Sequence, residues 1–251
     1  MFRKKVLSGQ LTCGSWCQIG HPANAEILAR AGFEWMVLDC EHGECEDADI
    51  GNFCRSLNKY PCDPVVRVRE NAVMPIRRAL DLGASGVIVP LVNTAADAAR
   101  AVAAAKYPPD GIRGFAFQRA NAWGVDFQSY VQKANAESAV IVMIESREAV
   151  DNIDSILEVD GVDGVLIGPY DMSGSFGIVG QTQHRLVQEA CSTVASACRR
   201  HGKAAGMHIV TPTADNVNMA SSNGFSMLAL GMDTVFLANG ANQASRLREN
   251  D

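Results

Sequence analysis

The sequence predicts a closed (β/α)8 barrel, and three observations lead to this fold class. Short apolar runs rich in β-branched residues alternate with longer amphipathic stretches along the whole chain. There are eight such runs, and strands that alternate with helices pair in parallel. A length of 251 residues is typical of one barrel. We therefore expect a single barrel domain over residues 1–251.

The eight predicted strands begin with GSWCQI and end with SMLALG. The amphipathic segments between them are typical of helices, and the apolar stripe along residues 183–199 indicates a helix face packed on a core. An open doubly wound sheet is the alternative, but the chain has neither G-x-G-x-x-G nor a P-loop. The predicted strands cover residues 14–19, 35–40, 64–68, 86–90, 139–145, 164–168, 204–208 and 226–231.

Composition excludes several classes of partner. The net charge of −6 argues against a nucleic-acid partner, because phosphate binding needs clustered Lys and Arg. No apolar stretch approaches 18 residues, so we expect no membrane partner and a cytoplasmic location. The eight cysteines form no C-x-x-C and are predicted to be reduced core residues. A zinc pair at Cys40 and Cys45 is the alternative, although no second ligand pair stands at finger spacing.

The carboxyl ends of all strands in such a barrel face one mouth, where polar residues distant in sequence converge. Both carboxylates and possible bases follow the predicted strands. We therefore expect the active site at this end of the barrel. The candidates are Asp39, His42, Arg67, Glu145, Gly168, Asp171, His208 and Asp233.

Glu145 and Asp171 follow consecutive predicted strands at equivalent points. Two carboxylates at one depth can share a divalent cation, with water and substrate oxygens completing an octahedral shell. Hard oxygen ligands favour Mg²⁺ or Mn²⁺. The alternative is structural: Glu145 pairs with an arginine, and Asp171 caps the helix that follows.

Asp39 precedes His42 by three residues across a strand end, where the carboxylate is expected to orient the imidazole. This predicts His42 as the general base, and a surface or core histidine is the alternative. Arg67 lies within an apolar strand, and a buried guanidinium needs an anion. A substrate carboxylate is the predicted anion, and an ion pair with Asp39 or Glu41 is the alternative.

Three further features bear on the reaction. None of the six lysines follows a predicted strand, which disfavours a Schiff base and favours a metal for stabilising an enolate. Backbone amides at and after Gly168, where a helix is expected to begin, are candidate donors to a carboxylate. The connection over residues 106–138 contains YPPDGIRGFAFQRANAWG before any clear helix. We expect an ordered loop there, beside the active end of the barrel.

Five segments of the chain resemble the HpcH/HpaI aldolase family of class II pyruvate aldolases. The motifs D-x-E-H, I-E-[ST]-x-E-A and I-G-P-x-D-[LM]-S occur in the family's order and at similar spacing, and the likeness covers about residues 12–245. The segments are AEILARAGFEWMVLDCEHGE, PVVRVRENAVMPIRRALDLGASGVIVPLV, YPPDGIRGFAFQRANAWG, VIVMIESREAVDNIDSI and VDGVLIGPYDMSGSFG.

The resemblance implies a (β/α)8 barrel that forms a homo-oligomer, a trimer or hexamer, with an extra C-terminal helix exchanged between subunits. It also implies reversible cleavage of a 4-hydroxy-2-oxo acid to pyruvate and an aldehyde. The implied cofactor is a divalent metal ion, Mg²⁺ in the first place, with Mn²⁺, Co²⁺ or Zn²⁺ as alternatives. Aldehyde specificity is expected to reside in residues 106–138, with contributions from a neighbouring subunit.

By similarity, the residues of this chain take defined roles. Glu145 and Asp171 would hold the metal, Arg67 would bind the pyruvyl oxygens, and His42 oriented by Asp39 would serve the acid–base step. The predicted substrate contacts are the side chains of Arg67, Trp16 and His208 and the backbone amides of Gly168 and Tyr170.

Two positions depart from the family pattern. Met143 stands where the family often carries Gln, which removes a hydrogen bond near the substrate, and His208 stands where many members have an apolar residue. Two other functions remain as alternatives. One is a metal-dependent oxo-acid decarboxylase or citrate-lyase-like enzyme with the same enolate site. The other is a non-catalytic barrel that binds an oxo acid.

Overall fold

The computed structural model describes residues 1–249, with side chains to Leu247, and contains a closed barrel of eight parallel strands in chain order. The prediction of a (β/α)8 barrel is confirmed. Asn250 and Asp251, which the predicted domain includes, lie outside the described residues. The strands are β1 (Thr12–Cys17), β2 (Trp35–Asp39), β3 (Asp63–Arg67), β4 (Gly86–Val89), β5 (Ala139–Ile144), β6 (Gly164–Ile167), β7 (Ala204–Ile209) and β8 (Met227–Met232).

Twelve α-helices lie among the described residues, together with two short 3-10 segments at Arg119–Gly124 and Arg246–Glu249. None of these helices is both long and apolar enough to cross a membrane. The helices are α1 (Phe2–Leu7), α2 (Pro22–Ala29), α3 (Asp47–Leu57), α4 (Val73–Asp81), α5 (Ala95–Ala105), α6 (Phe127–Glu137), α7 (Arg147–Asp151), α8 (Ile153–Leu157), α9 (Pro169–Ser175), α10 (Arg185–Arg200), α11 (Ala214–Ser222) and α12 (Asp233–Ser245).

Strand β1 begins and ends two residues earlier than predicted. After Cys17 the chain leaves the sheet, because the backbone amides of Gln18 and Ile19 donate to the buried carboxylate of Asp233 at 3.0 and 2.9 Å. Asp233, a candidate for the mouth, is therefore an anchor that holds the β1–α2 connection against the start of α12.

Alternate residues of each strand point into the barrel and fill it. Trp35 is the largest of these fully buried side chains. The neighbouring strand leaves room for its ring at Gly14, where a Cβ atom would lie 2.2 Å from the indole. The inward cluster consists of Phe2 and Val6 from α1 and, from the strands, Trp16, Trp35, Val37, Val65, Ile88, Ala139, Ile141, Met143, Leu166, Ala204, Met227 and Ala229.

A second apolar cluster lies between the outer faces of the strands and the helices. Helix α10 contributes one buried stripe, as the sequence predicts, which includes Val187, Cys191 and Val194. All eight cysteines are unpaired thiols and seven are buried, which agrees with their prediction as reduced core residues.

The segment 106–138 lies at the opposite end of the barrel from its predicted place. Helix α5 returns the chain to the amino ends of the strands, and β5 begins there. Contacts confirm this position: Lys106 Nζ donates to the Ser138 carbonyl at 2.7 Å, and Arg119 Nη1 donates to the Leu82 carbonyl at 2.9 Å. The segment also contains α6. The prediction of a loop beside the active end of the same barrel was wrong.

Helix α12 leaves the barrel after its first turn. Asp233 is the buried residue of this helix, whereas residues 237–247 are exposed, Leu237 to 66% and Leu247 to 74%. From Leu237 onwards the chain therefore carries its apolar side chains away from the barrel to which it is connected. This is the position of the predicted extra C-terminal helix.

Candidate active site

The strand register brings the predicted polar residues to one end of the barrel. Asp39 is the lateral partner of Arg67 across β2 and β3. Glu145 directly follows β5, and His208 lies near the end of β7. By the alternation of each strand, all four residues fall on inward-facing positions at the carboxyl ends. The structure thus gathers them in one mouth.

A buried arginine–carboxylate network forms one side of the mouth. Arg67 donates to Asp39 through Nε at 2.9 Å and Nη2 at 2.6 Å, and both side chains are almost fully buried. Its Nη1 lies 2.8 Å from Glu41 Oε2. The guanidinium is therefore neutralised by Asp39 and Glu41, which was the alternative to a substrate anion. The Arg67 N–H groups on Nη1 and Nη2 that face neither Asp39 nor Glu41 are available to donate to a substrate oxygen.

The expected contact between the Asp39 carboxylate and the His42 ring is absent from the hydrogen bonds of residues 1–249. Asp39 Oδ1 instead accepts the backbone amides of Glu41 and His42, both at 3.1 Å. Burial raises the pKa of Asp39, but the hydrogen bond and charge of Arg67 outweigh it and hold that pKa below its ordinary value. Asp39 therefore orders the turn that carries His42, whose side chain is exposed at the mouth.

Trp16 lies between a cation and an imidazole. Arg67 Cζ is 5.1 Å from the centroid of its ring, and the His208 ring stacks on it at 4.7 Å with an interplanar angle of 13°. The indole Nε1 donates to Asp39 Oδ2 at 3.2 Å, and Trp16 is only 2% exposed. With so little surface open, Trp16 packs against Arg67 and His208. Its prediction as a direct substrate contact was therefore wrong.

His208 is half-buried, and Nε2 lies 3.0 Å from the carbonyl oxygen of Gly231. A carbonyl only accepts, so Nε2 carries the proton of the neutral ring and Nδ1 is left as an acceptor. Burial lowers the pKa of His208 to about 4. The residue is therefore a neutral group in the mouth near pH 7.

Glu145 and Asp171 converge beside Gly168. A Cβ atom built on Gly168 would lie 3.2 Å from Glu145 Oε2 and 3.5 Å from Asp171 Oδ2. The other oxygen of Glu145, Oε1, accepts the backbone amide of Leu91 at 2.8 Å. Within residues 1–249 neither carboxylate takes part in an ion pair, and no side chain caps α9, so the structural alternatives for this pair are not realised.

The charges around this pair are unbalanced. Burial raises the pKa of Glu145, and the nearby Glu41 and Asp171 raise it further, while the amide of Leu91 lowers it. Burial also raises the pKa of Glu41, although the charge of Arg67, whose Nη1 lies 2.8 Å from Oε2 without hydrogen-bond geometry, opposes this rise. Because Glu41 is paired with Arg67, Glu145 and Asp171 are the two neighbouring carboxylates that still need a cation or a proton.

The residues present fit a divalent metal ion. The two convergent carboxylate oxygens of Glu145 and Asp171 are hard donors. No cluster of three or more His, Cys, Asp or Glu ligands occurs in the described part of the chain. Water and substrate would therefore complete the shell, as Mg²⁺ usually requires. Burial raises the pKa of Cys40 and of Cys45 to about 12, so these thiols are poor zinc ligands.

The backbone amide of Gly168 already donates a hydrogen bond within the protein. It donates to the carbonyl of Ile144 at 3.2 Å, so its prediction as a free donor to a substrate carboxylate was wrong. The amide of Tyr170, in the first turn of α9, has no backbone partner among the described residues. Of the two predicted amides, only that of Tyr170 is open.

Two contributors to the mouth are absent from the predicted site residues. Glu41 was considered only as an alternative partner of Arg67, although its alternation with Asp39 and the lateral position of Arg67 are signals that could have identified it. The amide of Leu91 has no such signal, because it depends on the backbone dihedral angle of a loop residue.

The fold and the site define a (β/α)8 enzyme with a carboxylate-lined mouth suited to a divalent cation. The family model described as HpcH/HpaI aldolase/citrate lyase matches residues 12–240. The chain belongs to this family. The resemblance inferred from the sequence motifs is confirmed, and with it the prediction of a carbon–carbon lyase of the aldolase type.

Similar proteins agree with this assignment. A 4-hydroxy-2-oxo-heptane-1,7-dioate aldolase of Salmonella heidelberg (strain SL476) is 38% identical over 242 residues, which are 96% of this chain and 91% of that protein. The crystal structure of an HpcH/HpaI aldolase/citrate lyase family protein from Burkholderia cenocepacia J2315 has a TM-score of 0.94 at 32% identity, covering 99% of both chains. The citrate synthase SbnG has a TM-score of 0.86 at 27% identity, covering 99% of this chain and 98% of that one.

Proposed function

We propose that this lyase reversibly cleaves a 4-hydroxy-2-oxo acid to pyruvate and an aldehyde, with a divalent cation held by Glu145 and Asp171. The observation that carries the proposal is the convergence of these two carboxylates on one point beside Gly168, within a mouth that also holds Arg67 and His42. The name of the 38% identical Salmonella aldolase supports the same reaction class.

The bound cation would supply Lewis-acid polarisation of the 2-oxo group. In this proposal Arg67 binds the substrate carboxylate through its remaining N–H groups, and the amide of Tyr170 adds a donor to the same group. His208, near the end of β7, also contacts the substrate. Trp16 holds the Arg67 guanidinium in place by its ring face. The substrate is thereby fixed with its 4-hydroxyl towards the exposed loop that carries His42.

His42 is the proposed general base. Its imidazole takes the proton from the 4-hydroxyl, the C3–C4 bond breaks, and the electron pair remains on the three-carbon fragment. Protonation at C3 gives pyruvate, and the other fragment leaves as the aldehyde. Asp39 contributes by fixing the backbone of the His42 turn and the position of Arg67.

Lysine chemistry does not fit the geometry. Lys106 is a buried lysine, and burial lowers its pKa to about 8, a property that suits imine formation. However, it lies at the amino end of the barrel, where Nζ donates to the carbonyls of Asn135 and Ser138 at 2.8 and 2.7 Å. Because Lys106 lies at the opposite end of the barrel from the mouth, its position supports a metal-assisted reaction over a Schiff base.

The decisive experiment is chelation. We expect EDTA to abolish pyruvate release from 4-hydroxy-2-oxo acids, and Mg²⁺, the cation we propose first, to restore it, with Mn²⁺, Co²⁺ and Zn²⁺ compared in parallel. Full activity after exhaustive chelation would contradict the proposal. A panel of aldehydes offered with pyruvate in the synthetic direction then identifies the second product.

A decarboxylase or citrate-lyase-like reaction is the second candidate, because the same site stabilises an enolate and a citrate synthase shares the fold at 27% identity. Release of CO₂ without an aldehyde would favour it. A non-catalytic oxo-acid binder would bind pyruvate with metal in calorimetry but show no turnover with any aldehyde.

We also propose a homo-oligomer, a trimer or hexamer, in which α12 packs on a neighbouring subunit. The exposed apolar side chains of that helix, including Leu237, support this assembly. Because 106–138 lies away from the mouth of its own barrel, any effect on aldehyde specificity would act through a neighbour. Native mass measurement tests the assembly. The unpaired buried thiols support a cytoplasmic location.

A further inference from the structure

Leu91 adopts a backbone conformation that leucine rarely takes. Its φ of +55° lies in the left-handed region that favours glycine, and its side chain is 64% exposed in the connection after β4. Burial of the side chain therefore does not explain the conformation. Backbone strain of this kind persists where surrounding contacts fix it, and it often marks a functional site.

The conformation directs one backbone amide at Glu145. The Leu91 N–H donates to Oε1 at 2.8 Å, while Oε2 is the oxygen that lies with Asp171 Oδ2 beside Gly168. The amide therefore holds one carboxylate oxygen and leaves the other for a cation.

Neighbouring contacts hold the segment in this position. The Ser146 hydroxyl donates to Asn93 Oδ1, and Asn152 Nδ2 donates to the Asn93 carbonyl at 2.9 Å. Thr94 then caps α5 through a reciprocal pair of hydrogen bonds with Asp97. The chain that follows Glu145 is thus tied to the chain that follows Leu91, which restrains the amide relative to the carboxylate.

We infer that Leu91 is a positioning residue of the cation site: its left-handed backbone presents the amide that selects Oε2 of Glu145 as the metal-facing oxygen. The inference rests on the proposed function in taking Glu145 as a ligand. Groups that orient a ligand typically change metal affinity by about 10- to 100-fold when they are removed.

The sharpest test changes only the amide. Replacing Leu91 by its α-hydroxy acid analogue converts the 90–91 amide to an ester, which keeps the side chain and deletes the N–H. Mn²⁺ affinity, measured by electron paramagnetic resonance on the protein of 251 residues, should fall by roughly 10-fold or more. Leu91→Gly is the matched control, because glycine keeps the amide and accepts the same φ, and its affinity should stay within about threefold.

Side-chain variants keep the inference falsifiable if the ester protein does not fold. Leu91→Ile, whose β-branch disfavours the left-handed region, should bind Mn²⁺ more weakly than Leu91→Asn, which tolerates it. Equal affinity of these two variants would overturn the inference, as would an ester protein that is folded and binds Mn²⁺ as tightly as the wild type. A wild-type protein that binds no Mn²⁺ would instead overturn the proposed function, and this inference with it.

Discussion

The two ends of the barrel hold buried charge in opposite ways. At the amino end, Arg113 donates to Asp81 Oδ1 through Nε at 3.2 Å and Nη2 at 2.7 Å, and its guanidinium lies 4.5 Å from the Tyr107 ring centroid. At the carboxyl end, Glu145 and Asp171 converge on one point, and the pKa of Glu145 is raised by burial and by its acidic neighbours. At the first end a carboxylate neutralises the buried cation, although Arg113 Nη1 has no hydrogen bond to the described residues, whereas the carboxylates at the second end are open to a ligand.

This difference separates stability from function. A buried ion pair with all partners present is costly to break from one side, because the remaining charge is left unpaired. A buried carboxylate beside other carboxylates destabilises the empty protein and gains its partner only from a ligand. Substitutions at the two ends should therefore have opposite effects on the free energy of unfolding and on cation binding.

The largest effect is expected from Glu145→Gln. Loss of one carboxylate ligand should lower kcat/KM for cleavage by about 10³-fold or more and weaken Mn²⁺ binding by at least about 100-fold, because a neutral amide neither attracts nor polarises the cation as well. Without metal, the free energy of unfolding should be no lower than in the wild type. Asp171→Asn is the companion variant. Retained Mn²⁺ affinity in both would contradict the assignment of the ligand pair.

Asp81→Ala should show the reverse pattern at the amino end. It leaves the Arg113 guanidinium buried without its carboxylate, which should cost about 3–5 kcal/mol in the free energy of unfolding measured with urea. Mn²⁺ affinity of the protein that remains folded should be unchanged, because the substitution lies at the other end of the barrel. If Asp81→Ala weakens Mn²⁺ binding as much as Glu145→Gln, the proposed separation of the two ends is wrong.

The sequence could predict which residues reach each end, but not all of their contacts. Strand period and the barrel rule placed Asp39, Arg67 and Glu145 in one mouth, because both follow from alternation along a strand. That Asp39 accepts the backbone amide of His42 and does not bond its ring is set by the turn geometry after β2, which residue spacing does not determine. The prediction for segment 106–138 was wrong because α5 returns the chain to the amino ends of the strands, so any segment between α5 and β5 lies at that end.

Arg67→Lys tests whether the mouth needs the planar guanidinium. Lysine keeps the charge but cannot make the paired hydrogen bonds with Asp39 while facing Glu41. We expect kcat/KM to fall by about 10- to 100-fold, mainly through a higher KM for the oxo acid. Mn²⁺ affinity without substrate should change little. A fall in Mn²⁺ affinity that accounts for the whole loss would place Arg67 in the cation site instead.

The smallest expected effect concerns His208, a titratable group at the open end that faces Arg67 and Asp39. Its pKa is lowered to about 4, whereas the unfolded chain takes up the proton near its ordinary value of about 6.5. The stabilisation is therefore complete above about pH 6.5 and is lost as the pH falls towards 4. His208→Phe should reduce this pH dependence of the free energy of unfolding by less than about 1.4 kcal/mol per pH unit, the limit for one proton. Glu41 and Glu145 have raised pKa values, so their contribution to stability falls as the pH rises, but it is common to all the proteins compared.

His208→Leu should show the same reduced slope with lower overall stability, because it also loses the stacking on Trp16. An unchanged slope in both variants would show that His208 is not held neutral by the fold.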